Sequence, residues 1–146
     1  MSRAETRALG SLVIAGIALW FLQMRFLDGW QVVALPPRHM IASYLFVVIG
    51  MAIGETVLSG ATAAGRELED ERDHHITRRA ELISHWFLVA VVNILVVQLI
   101  LQHTYTSSVF APLAIVSTSG VVFTLLALLF AAHIVKMIAT LVLYRL

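Results

Sequence analysis

The sequence contains no cysteine, which excludes a disulfide framework, a thiolate metal site and a thiol nucleophile. Its three prolines, Pro36, Pro37 and Pro112, all fall in connections between apolar runs. Charge is equally scarce, since 13% of the 146 residues are Asp, Glu, Lys or Arg and 60% are hydrophobic. With a mean hydropathy of +0.89, this composition excludes an ordinary soluble domain. Catalytic signatures are lacking too: there is no HExxH, no GxSxG, no phosphate-binding glycine loop and no pair of carboxylates expected to share a cleft. The reading is therefore of a non-enzyme, and a net charge of +1 gives no reason to expect nucleic acid as a partner.

What the chain does contain is four apolar runs, each near the length needed to cross about 30 Å of hydrocarbon as a helix. They predict spans at about residues 8–27, 39–60, 82–102 and 113–143, with a charged connection at 61–81. The expected fold is all-α: one antiparallel bundle of four transmembrane helices in a single domain. Arg3, Arg7, Arg66, Arg72, Arg78, Arg79, Lys136 and Arg145 lie on one side of that arrangement, and only Arg25 and Arg38 on the other. The excess predicts that the termini and the charged connection are cytoplasmic. Trp30 and Tyr105 would then anchor the outer interface, and Trp86 and Tyr144 the inner one. A basic N-terminus before an apolar run also suits a signal peptide, but Phe21 to Asp28 has no small-x-small cleavage pattern, so a retained first helix is expected.

Charge concentrates in DERDHHITRRAELISHW, Asp70 to Trp86, which holds four of the nine acids and three of the six histidines. If a helix starts at Asp70, then Asp70, Glu71 and Asp73 occupy its first turn, each stabilising it by on the order of 0.5–1 kcal/mol. Ile76, Ala80, Ile83 and Phe87 follow at helical spacing and predict a single apolar face on an amphipathic extension of the third span. Topology alone accounts for such a segment. A functional reading uses Asp70 with His74 and Glu71 with His75, four residues apart, as a divalent-metal or pH-sensing pair. Another uses Asp70, Glu71, Arg72, Asp73, Arg78 and Arg79 as an interaction surface.

The run of Asp70, Glu71, Arg72 and Asp73, then Ile76 and the Arg78–Arg79 pair before a third span, resembles a group of small bacterial and archaeal integral membrane proteins of uncharacterised function. Lys136 followed by Tyr144 and Arg145 extends the likeness over roughly the second half of the chain, whereas His133 stands where that pattern has an acid. The resemblance implies four spans around a cytosolic charged motif in the cytoplasmic (inner) membrane. It implies no activity.

Ionisable groups within apolar spans cost several kcal/mol and are candidates for function. Glu55 in the second span, with His133 and Lys136 in the fourth, predicts a buried Glu55–Lys136 pair with His133 beside it. The bland alternative has Lys136 reaching the interface and Glu55 near water. Histidines also suggest two layers, His85 with His133 and His39 with His103, as a bis-histidine b-type haem site would require. Gly50 and Gly54 form a GxxxG beside Ser43, expected to pack within the chain rather than against a second copy, and Asn93 and Gln98 are expected to bond across helices. Together these features predict a small membrane accessory or regulatory protein, with the bilayer, a second copy or another membrane protein as partners. A small oligomeric proton-coupled transporter using Glu55, His133 and Lys136 is the first alternative, and a haem- or metal-binding membrane protein the second; no cofactor is assigned.

Overall fold

The computed structural model describes the backbone of residues 3–29, 31–63, 71–105 and 117–146, and the side chains within 5–29, 31–60, 73–100 and 117–146. The elements run α1 (Arg3–Phe26), a hairpin of β1 (Leu27–Asp28) and β2 (Gln31–Val32), α2 (Pro37–Ala63), α3 (Glu71–Tyr105) and α4 (Thr118–Arg145). All four helices are long and apolar enough to cross a membrane. Asp70, Trp30 and residues 113–116, the expected opening of the fourth span, lie outside the described residues; so do the side chains of Glu71, Arg72, His103 and Tyr105.

An apolar chain has no solvent to satisfy its backbone, so each run closes its hydrogen bonds internally as a helix. The surface agrees with an apolar surrounding: Trp20 is 61% exposed, Phe46 64% and Leu129 60%. With 35 residues, α3 is about 52 Å long at 1.5 Å per residue, well beyond the hydrocarbon thickness, and it includes the charged extension in one continuous helix.

Local sequence explains the ends. Gly29 adopts φ 63°, the left-handed conformation that opens the two-residue connection between β1 and β2, with Asp28 opposite Gln31. Val33 N–H then donates to Phe26 O at 2.8 Å, sealing the end of α1. This hairpin is an addition to the all-helical expectation. Pro37 opens α2, where its missing N–H matters least, and Pro36 O accepts from His39 and Met40. Ser117 caps α4 by accepting from Gly120 N–H at 3.1 Å.

Across the molecule, α4 packs between α3 and α1, and α1 packs on α2, giving the order α3, α4, α1, α2. Among the described residues, no comparable pairing joins α2 to α3. The apolar core lies where α1, α2 and α4 meet: Ala15, Leu22, Phe26, Val47, Phe123, Leu126 and Phe130. Phe26 and Phe123 pack with ring centroids 5.8 Å apart.

The seam of α3 corrects the expected face. Ile76, Ala80, Leu95 and Gln98 are buried, and Ser84, Phe87 and Val91 are partly buried between them, a run of three- and four-residue steps. Ile83 is exposed instead, because the seam passes through Ser84, whose hydroxyl donates to Ala132 O on α4 at 2.8 Å. The polar residues differ as well. Asn93 donates back to Val89 O within α3, not across helices, and Gln98 is buried with Nε2 lacking a partner among the described residues.

Only half of the expected GxxxG makes a close approach. A Cβ on Gly54 would lie 3.1 Å from Ile14, whereas Gly50 faces open space. The second close approach comes from α1, where a Cβ on Gly10 would lie 2.7 Å from Leu58 Cδ1. The two helices therefore interlock, each receiving a branched side chain from the other against its own glycine. Gly54→Val is expected to destabilise the α1–α2 pairing by about 1–3 kcal/mol, partly restored by Ile14→Ala, as over-packing predicts. Gly50→Val should leave the thermal midpoint in detergent unchanged; equal losses at both glycines would refute the packing.

Candidate functional site

His133 and Lys136 are three residues apart on α4, close enough to share one region of its surface. Their partners nevertheless lie on different helices, because α4 has neighbours on both flanks. Lys136 Nζ donates to Glu81 Oε1 of α3 at 2.8 Å, so the expected Glu55–Lys136 pair is not formed. Glu55, on α2, accepts from the Ser11 hydroxyl of α1, and Ser11 is 2% exposed. His133 Nε2 stands 3.7 Å from the same Glu55 oxygen, beyond hydrogen-bond distance, and is buried with no other partner among the described residues. Ser11, Glu55 and His133 thus join three helices at one polar point. It is also where α2 reaches across to α4.

A second set of contacts ties the charged extension down. Tyr144 near the end of α4 donates to Asp73 at 2.8 Å, and Ser84 and Glu81 meet Ala132 and Lys136 further along. Partner numbers on α4 fall as those on α3 rise. The first turns of α3 are therefore held against α4, while His74, His75, Arg78 and Arg79 are exposed.

Other candidates are not gathered in this way. His85 is exposed and meets Trp86 edge-on, with ring centroids 6.1 Å apart, whereas His133 is directed at Glu55. At the opposite end, Arg25 Nη2 and His39 Nδ1 are 3.0 Å apart; arginine is the obligate donor, which leaves the imidazole nitrogen as acceptor. No described contact links His39 to another histidine, and His103 lies outside the described side chains. Among the described residues, no group of three or more His, Asp or Glu has the arrangement to hold a metal. Of the expected metal candidates, Asp70 and the side chain of Glu71 fall outside that description.

Comparison with family models, curated proteins and solved structures finds no match to this chain. The geometry alone therefore defines the chemistry. Ser11 donates its hydrogen bond to Glu55 and not to His133. The three form a site where a proton can pass between carboxyl and imidazole over a small movement. The next buried hydroxyls on α2 and α4, Ser43 and Thr124, are twelve and nine residues away, about 18 and 13 Å along the helices.

Sequence reasoning finds Glu55 and His133 but misses Ser11 and Glu81. The signal for Ser11 is present: Ala8, Ser11, Ala15, Leu22 and Phe26 recur at helical spacing, and all are buried. Glu81 falls in the expected solvated connection, and nothing in its spacing points to Lys136. Tyr144→Phe is expected to cost about 1–2 kcal/mol and to act locally. Amide exchange in the first turns of α3 should accelerate while the packed helices around Leu22 and Leu126 stay protected; no change in α3 would remove Tyr144 from this role.

Proposed function

We propose that the chain is a small integral membrane accessory or regulatory protein: an antiparallel four-span bundle with its termini and charged segment in the cytoplasm of a bacterial or archaeal cell. The observation that carries this reading is the anchoring of the charged turns of α3 through Asp73–Tyr144 and Glu81–Lys136. A segment needed only as a solvated turn requires no such fixation. Held this way through Asp73, the first turn of α3 with the exposed His75 beside it forms a surface of constant shape next to the bilayer, suited to a membrane-protein partner. The cation excess on that side supports the orientation, and the resemblance to small four-span proteins supports the architecture. Glu71→Lys is expected to reduce capture of a partner by the tagged protein in mild detergent with its melting unchanged. Retained capture would count against the surface.

A second reading, a proton-coupled carrier that dimerises to enclose a path, is favoured by one observation, the Ser11–Glu55–His133 cluster. The apolar core between this cluster and the Phe26–Phe123 end weighs against a path through one chain. On the carrier reading, Glu55→Gln abolishes proton flux in liposomes. Flux equal to that of the parent protein would retire it.

A further inference from the structure

Two arginines make no ion pair among the described residues, while the acids near them are engaged. Asp73 is engaged by Tyr144, and Glu81 by Lys136. Arg78 and Arg79 make no ion pair among the described residues and are exposed, because Ile76, Ala80 and Ser84 turn the packed side of α3 toward α4 and leave the arginines off that seam. Along their own side of the helix, Arg78 precedes Leu82 by four residues, Arg79 precedes Ile83 by four, and Trp86 follows one turn further on. All three apolar residues are exposed, Trp86 by 67%. From Leu82 to Ile100 this helix carries no Asp, Glu, Lys or Arg, so the hydrocarbon boundary can fall just past the arginine pair.

We propose that this face of α3 binds an anionic phospholipid, its headgroup phosphate held by Arg78 and Arg79 and its acyl chains lying along Leu82, Ile83 and Trp86. The order of chemistry along the helix is that of the ligand: two cations, an interfacial indole, then an uncharged apolar surface. Guanidinium groups present paired N–H donors that match phosphate oxygens, which a zwitterionic lipid offers with its own cation nearby. Free phosphate shares the headgroup chemistry but leaves Leu82, Ile83 and Trp86 without a partner, which favours the lipid. The inference needs neither the orientation nor the accessory reading; it requires only that α3 enters a bilayer.

The test uses the full chain as a W20F/W30F variant, with Trp86 as its one indole, in phosphatidylcholine nanodiscs containing a small fraction of brominated phosphatidylglycerol or, separately, brominated phosphatidylcholine. Trp86 fluorescence should be quenched several-fold more by the anionic probe at equal fraction. R78Q/R79Q should bring quenching down to the phosphatidylcholine level without loss of helical signal, and R78K/R79K should retain part of the preference. Equal quenching by both lipids overturns the proposal. So does weak quenching by both, which marks a second copy or another protein covering the face. Preference erased by millimolar inorganic phosphate would assign the arginines to a small anion and overturn the lipid source. If R78Q/R79Q does not fold, the comparison of the two probes in the parent still decides.

Discussion

α4 sits between two helices, and that position governs which polar groups in this protein meet. An apolar chain must satisfy its backbone as helices, but helix formation says nothing about neighbours. With α3 on one flank of α4 and α1 and α2 meeting it on the other, residues three apart on it are served by different partners. Lys136 turns to Glu81, and His133 to Glu55. A closed bundle with another helix order would pair them otherwise.

The same order separates two kinds of interior. Toward the Phe26–Phe123 end, aromatic and branched side chains from α1, α2 and α4 fill the space. Toward the Ser11 end, packing depends on small residues, with Gly10 and Gly54 admitting Leu58 and Ile14 so that α1 and α2 approach closely. Close approach is what allows the short Ser11 side chain to reach Glu55. Polar contact and glycine packing are therefore parts of one arrangement, because without the second the first would leave a buried hydroxyl and carboxyl apart.

Much of the fold is legible from periodicity and run length. Four helices overlap the apolar runs that predict them, the fourth opening at Thr118 after the extended Ser117, and the charged extension of the third continues into the same helix, from Glu71. Less legible is the seam of α3, where Ile83 and Ser84 compete for the packed position. Hydrophobicity favours the isoleucine, yet the serine hydroxyl can donate to the Ala132 carbonyl, and the helix turns accordingly. The β1–β2 hairpin escapes pattern reading because its strands are too short to produce an alternation.

By itself the sequence determined the class: an all-helical chain with four runs able to cross a membrane and charge gathered before the third. Composition suffices there, since burial of a polar backbone in apolar surroundings leaves few other solutions. Only the tertiary structure decided that Glu55 meets Ser11 and His133, that Lys136 meets Glu81, and that Arg78 and Arg79 find no ion pair among the described residues on the outer side of α3. These depend on helix order and rotation, which arise from the fit of side chains between helices far apart in sequence. No local pattern records that fit.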